Sequence, residues 1–522
     1  MLFDSRVNYE KYVSRLRAIP TQLAQVCTLL RLGISTGVLP PAVSLEGVPD
    51  QLNKTIAALE KEGGTASSYW HAPPPVLEQS DPSTKALGEK ASSALSAVRD
   101  AFCRLLICVE EEYMPAIASK RDGSVACADL PNGAAMYEEC LRFHTGSSKT
   151  AEDIHETGKA EVNRISREMK EACLAAGMEQ GGSVKEFLEQ MQQDPQFTSP
   201  NSQAHVDKYR ALCMRILPEL PKLFSIRCMP RTPFAVVPTP DAQAEAAPGA
   251  FYLGGAGDGS RPGTFYVNCS NLPGRPFYEA EALTLHEGIP GHHTQTMLAA
   301  ENNELPPFRR YMDDKRYSEA PGRYPIDGAF IEGWGLYAES LGHELGLYTS
   351  PYQLIGRLDA EMFRACRLVV DTGIHKMGWT VQQSIAYMAE HSADNIQNIA
   401  TEVKRYCTWP GQATGYKIGE LEIRRLRAKF MRAMGPNADL REFHELVLLN
   451  GSLPLYIVEE LVDEHVKSAA AAPSQASLEV SGEDRIQDQG ASGKKGIEQI
   501  SGYGVLGVMT ALALVFVFTQ RR

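Results

Sequence analysis

The sequence predicts a mainly α-helical protein with a small antiparallel β element and a C-terminal membrane-spanning helix. Three observations carry this. Most of Met1 to Lys467 repeats apolar residues at helical spacing, with little strand-like alternation. The strand-like pieces cluster in one place, just ahead of a histidine-rich segment. A final apolar run, Tyr503 to Phe518, holds no charged residue.

From the N-terminus, Tyr12 to Leu32 carries apolar residues at helical intervals up to Gly33. Lys85 to Tyr113 places Leu87, Ala91, Leu95, Val98, Phe102, Leu105 and Leu106 on one face, the mark of a long amphipathic helix. Ala151 to Ala176 follows Ser147 and Ser148 as cap residues and stops at Gly177. Phe234–Pro238 and Thr264–Asn268 read as strands across a stretch rich in Gly and Pro. These elements form one body, residues 1–467. Residues 468–501 are small, polar and aperiodic, which predicts a flexible linker. Residues 502–520 are expected to anchor the chain in a membrane. At ~1.5 Å per residue, Tyr503 to Phe518 would reach about 24 Å, short of a ~30 Å hydrocarbon core. Flanking Lys494, Lys495, Arg521 and Arg522 would snorkel, and bilayer thinning would absorb the remainder. The charged N-terminus is no signal peptide. The body is therefore expected in the cytosol if Met1 is the true start, and outside the cell or in a lumen if a leader precedes it.

Composition narrows the function classes. Hydrophobic residues make up 43% of the 522 residues and charged residues 22%, so disordered and collagen-like readings fall away. A formal net charge of −12 gives no general attraction to phosphate backbones, and no nucleic-acid partner is expected. The eleven cysteines are odd in number and include no C-x-x-C pair, which suits reduced thiols rather than a disulfide framework or zinc ribbon.

The chemistry is concentrated in His286-Glu287-Gly288-Ile289-Pro290-Gly291-His292-His293. Three histidines and a glutamate within eight residues, in a chain with 12 histidines, point to one bound metal ion, and zinc-dependent hydrolysis is the chemistry they suggest. Two imidazoles and a carboxylate would hold the ion and leave a position for water, and a glutamate beside the first histidine can take the water's proton. The usual spacing puts the second histidine at i+4 from the first. Here that place is Pro290, which cannot continue the helix, and Gly291 permits unusual backbone angles, so a bulge or a break is expected. A bulge at Pro-Gly would bring His292 to the second ligand position, with His293 as its competitor or a supporting partner.

These residues resemble the DUF885 family and its H-E-x-x-P-G-H-H signature. The resemblance covers roughly Met1 to Val466. It includes Leu16–Pro20, Asp258–Gly263, His286–His293, Glu332–Glu339, Arg367–His375, Pro410–Gly419 and Gly451–Pro454. The family looks similar to gluzincin peptidases, the helical carboxypeptidases and dipeptidyl carboxypeptidases above all. The resemblance thus implies a large helical metallopeptidase-like body that cleaves short peptides. It also implies Glu332 as third ligand and Glu287 as general base. Glu332 sits in an apolar run where an unpaired charge would be costly. Glu339, seven residues on, is the alternative ligand or a hydrogen-bond partner for a histidine. Tyr416 is the candidate donor to the oxyanion. Lys417, Arg261, Arg364, Arg367 and His375 are candidates for binding a substrate carboxylate, with Asp371 and His375 as a possible orienting pair. The family pattern also implies a further N-terminal helical segment ahead of Met1.

Two rival readings accompany the membrane-tethered zinc peptidase. Two histidines and a carboxylate also suit non-haem iron. A catalytically inactive, membrane-bound helical binding module is the other, which the presence of Glu287 disfavours.

Overall fold

The computed structural model describes residues 5–64, 67–71, 82–240, 244, 247–311 and 327–471. Helices α1 (Arg6–Thr36), α2 (Val48–Glu60) and α3 (Pro82–Ile107) pack on one another over Tyr9, Leu16, Leu52, Leu95 and Val98. The long helix read from Lys85 to Tyr113 is α3 followed by a π-helical turn, Cys108–Tyr113. Next come α4 (Met114–Arg121), α5 (Gly133–Thr145), α6 (Ala151–Ala175), α7 (Val184–Gln193) and α8 (Ser202–Ile216). The cap of α6 is Thr150 rather than Ser147 or Ser148. Thr150 and Asp153 bond each other's backbone N–H groups, closing a capping box one residue ahead of the helix.

The β element is three strands: β1 (Phe234–Pro238), β2 (Ala250–Leu253) and β3 (Gly263–Val267), in the order β1-β3-β2. The expectation of an antiparallel element is corrected in part. β2 pairs antiparallel with β3, but β1 pairs parallel with it. The chain between β1 and β3 is long enough to cross over, and β2, only four residues long, falls within that crossover.

The remaining helices are α9 (Ala280–Glu287), α10 (His292–Glu301), α11 (Pro307–Arg310), α12 (Gly328–Leu341) and α13 (Pro351–His375). They continue with α14 (Val381–His391), α15 (Ile396–Thr408), α16 (Gly415–Met434), α17 (Leu440–Leu448) and α18 (Leu455–Ala471). Two cores meet beneath α9. One joins α6, α7 and α13–α15, and the other joins α9, α12 and α16–α18. At the crossing of α12 and α16, glycine faces glycine. A Cβ on Gly419 would lie 1.9 Å from the Ala329 carbonyl oxygen, and one on Gly333 would lie 2.4 Å from the Gly419 carbonyl carbon. Only two bare backbones can approach this closely.

Among the described residues no helix is long and apolar enough to cross a membrane. This corrects the expectation of a membrane-spanning helix in the fold, for the long helices carry charge along their outer faces. The run at 502–520 and most of the linker at 468–501 lie outside the described residues. The helical body continues past Lys467 to Ala471.

Candidate metal centre

The helix that carries the signature stops where the sequence puts its glycines and proline. α9 ends at Glu287, the Ile289–Pro290 peptide is cis, and α10 starts afresh at His292. The interruption is thus a full break between two helices, not a bulge in one. Gly291 is packed so tightly under α9 that a Cβ there would lie 1.9 Å from the His286 carbonyl oxygen. From across the core, the Trp334 indole N–H donates to the Pro290 carbonyl at 2.9 Å.

This turn brings His292 beside His286, their rings edge-to-face with centroids 4.7 Å apart. α12 supplies Glu332, whose Oε2 is 3.6 Å from the Nε2 atom of each histidine. One ligand atom from each of the three residues lies within 4.8 Å of the others. Ligands held tetrahedrally at the usual Zn–N and Zn–O distances stand roughly 3.4 Å apart, so the donor set fits a zinc-sized ion. Burial opposes charge on Glu332, but the two imidazoles beside it hold its carboxyl well below the usual range.

The carboxylate of Glu339 accepts from His286 Nδ1 at 2.7 Å, which aims Nε2 at Glu332. Of its two expected roles, Glu339 takes that of histidine partner. Gly335 lies under the ring, and a Cβ there would be 2.6 Å from His286 Cε1. Burial works against protonation of His286, yet Glu332, Glu339 and Glu287 outweigh it and push the imidazole up to about 10. His293 takes no part. It is buried on the other side of α10, bonded through Nδ1 to the Tyr252 hydroxyl at 2.9 Å and packed on Phe234. Burial pushes it down to about 4. Glu287 is half-buried at the end of α9; burial raises its carboxyl, while His292 and His286 pull the other way.

Tyr416 stands on the first turn of α16, half-buried. Burial and the charge of Glu332 raise its phenol, while Arg367 and Arg405 lower it. The Arg367 guanidinium lies 4.5 Å from the centre of the Tyr416 ring. Arg367 itself is buried, donating to the Tyr406 hydroxyl at 3.0 Å and to Glu402 at 2.9 Å. Arg364, one turn earlier on α13, acts electrostatically on Glu287.

The other proposed carboxylate binders are placed elsewhere. Lys417 is fully buried and clamped between Glu361 at 2.6 Å, Glu420 at 2.5 Å and Glu161 at 3.1 Å. His375 is fully buried between the Cys127 N–H and the Tyr406 carbonyl, each at 3.0 Å. Its neighbour on the helix, Asp371, binds the Tyr137 hydroxyl at 2.7 Å and the Gly411 N–H at 3.0 Å, so the two tie different elements together and form no pair. Arg261 is exposed on the loop between β2 and β3. Sequence reasoning passed over Arg405 and Gln412, which surround Tyr416 at 2.5 Å from each other, and Tyr252, which fixes His293. Gln412 lies inside the Pro410–Gly419 segment and so was within reach; Tyr252 sits in the strand too short to be seen.

A family model described as a bacterial protein of unknown function, DUF885, matches residues 1–462, and the chain belongs to that family. No curated protein matches it. Among solved structures it is similar to a candidate lipoprotein from Colwellia psychrerythraea, with 29% identity and a TM-score of 0.76 over 89% of this chain and 77% of that one. A candidate lipoprotein of unknown function from Shewanella oneidensis shares the fold, with 20% identity and a TM-score of 0.62 over 86% and 77% of the two chains.

Proposed function

We propose that this DUF885 member is a zinc-dependent hydrolase of peptide bonds in short peptides. The observation that carries the reading is the convergence of His286, His292 and Glu332, with Glu339 behind the first imidazole and Glu287 adjoining it. Those three side chains would hold the ion, which when bound supplies a Lewis acid for a carbonyl and makes a water more acidic. Three carboxylates around two imidazoles favour a cation at this place. Glu287 accepts a proton from the attacking water and returns it to the leaving amine, a role suited to a carboxyl raised by burial. Tyr416 donates its hydroxyl to the oxyanion as the carbonyl becomes tetrahedral. The H-E-x-x-P-G-H-H segment within a helical body supports the likeness to gluzincin peptidases.

The test is a mass-spectrometric survey of short peptides incubated with the zinc-supplied protein, with and without chelator, beside Glu287→Gln. Cleavage that chelator abolishes and that Glu287→Gln lowers by about a thousandfold or more is expected; equal cleavage by the variant would return the protein to the binding-module reading. The same donor set suits Fe(II), so metal analysis of protein purified without added metal decides the ion, and stoichiometric iron without zinc removes the zinc assignment. Association with a membrane is proposed from the descriptions of the two similar proteins as candidate lipoproteins; recovery wholly in the soluble fraction of the native cell would oppose it.

A further inference from the structure

The guanidiniums of Arg367 and Arg405 both stand near Tyr416, with Glu332 in electrostatic reach of the same ring. Arg367 and Arg405 share one carboxylate, Glu402: Arg367 Nη2 reaches it at 2.9 Å, and Arg405 reaches it at 2.9 and 3.2 Å. Arg367 is only 7% exposed, and its Nη1 is buried with no hydrogen-bond partner among the described residues. Three residues earlier on the same face of α13, the Nε of Arg364 is buried and equally unpartnered; its Nη1 donates to its own helix, at the Ala360 carbonyl. Glu279, Asp359 and Asp394 lie within electrostatic reach of Arg364, but none is ion-paired with it among the described residues. A buried guanidinium edge without an acceptor is a costly arrangement that an incoming anion would relieve. The planar fork of arginine fits a carboxylate with two parallel hydrogen bonds.

The location says which anion. Arg367 stacks on the Tyr416 ring, and Arg364 is within electrostatic reach of Glu287. An anion held there therefore sits beside the groups that handle the scissile bond. We propose that Arg364 and Arg367, backed by Arg405, bind the free C-terminal carboxylate of the substrate peptide, which makes this chain an exopeptidase releasing one or two residues from the C-terminus. The proposal rests on the peptidase reading above. In the reaction, water adds across the peptide bond: its hydroxyl goes to the carbonyl carbon, its proton to the departing nitrogen, and the released fragment carries the carboxylate the arginines hold.

The test uses pairs of short peptides of identical sequence, one ending in a free carboxylate and the other in a carboxamide, with the zinc-supplied full chain. The free acid is expected to be cleaved roughly tenfold to a hundredfold more efficiently, the range of a charge-assisted hydrogen bond, with products shortened at the C-terminus. Arg364→Gln should raise KM for the acid far more than for the amide, shrinking the gap between the two. Because Arg367 is buried, Arg367→Lys accompanies Arg367→Gln, keeping the charge while losing the fork, and should fall between Gln and wild type. Metal-dependent cleavage of acid and amide at equal rates, or internal cuts in both, overturns the proposal and leaves the peptidase standing. No metal-dependent cleavage of either sinks the peptidase reading and this proposal with it. Preference for the acid that survives Arg364→Gln and Arg367→Lys undiminished moves the carboxylate site elsewhere and overturns the assignment.

Discussion

His286 has both ring nitrogens committed, Nδ1 to Glu339 and Nε2 toward Glu332. Losing the charge of the Glu339 partner leaves the ring free to turn and makes it a weaker donor. Glu339→Gln should therefore weaken zinc binding about tenfold to a hundredfold, read by competition with a coloured chelator; unchanged affinity would mean that Glu339 has no part in orienting the ring. His375 is the contrast, a histidine with the same chemistry buried for structure alone. Its neutral ring bridges two backbone groups, and burial pushes it down to about 4. An unfolded histidine titrates near 6.5, so the unfolded chain binds the proton more readily. The stability this residue contributes is complete above pH ~6.5 and is lost as pH falls toward 4. By pH 5 the loss is about 2 kcal/mol. His375→Gln should therefore lie closer to wild type at pH 5 than at pH 7 in denaturant titrations; a constant gap would contradict a neutral buried imidazole. Sequence spacing singled out both histidines. It could not separate them, because burial and partners belong to other helices.

At the scale of elements, two devices place the site. The first is the break between α9 and α10, legible in the sequence because Pro290 forbids the helix and Gly291 has no side chain to collide with the turn beneath it. The second is the glycine crossing of α12 and α16, which sets Glu332 opposite Tyr416. Gly419→Ala would drive a methyl group into the Ala329 backbone and force the two helices apart. A loss of about 1–3 kcal/mol is expected, and zinc affinity should fall with it; a variant as stable as wild type with unaltered zinc binding would show the crossing to be slack. Lys417, beside Tyr416 in sequence, is turned instead into Glu361, Glu420 and Glu161. Removing it as Lys417→Met strips these buried carboxylates of a shared cation and should cost about 3–5 kcal/mol, seen in the thermal midpoint. Were KM for free-acid peptides to rise while stability held, its structural role would be refuted. Helix periodicity forecast α1, α3 and α6 because one face of each is buried, whereas the parallel pairing of β1 with β3 depends on where the crossover runs and leaves no local trace.

For the whole molecule, the candidate metal site is assembled from α9, α10 and α12, three helices that pack into the same part of the core. An ion bound only by the folded arrangement stabilises it by mass action, by about 4 kcal/mol at a thousandfold excess over Kd. Zinc should therefore raise the thermal midpoint by several degrees and chelator should reverse it; a midpoint indifferent to both would speak against a site formed by the native fold. The sequence by itself determined the helical class, the histidine-rich break and the residues able to ligate, since hydrophobic period, proline and residue chemistry are local properties. Only the tertiary structure decided that His292 rather than His293 meets His286, that Glu339 bonds the far nitrogen of His286 while Glu332 faces both imidazoles, and that Arg367, not Lys417 or His375, lies against Tyr416. Each of those choices is a matter of which helix face turns toward which neighbour, and that is settled by packing between segments far apart in the chain.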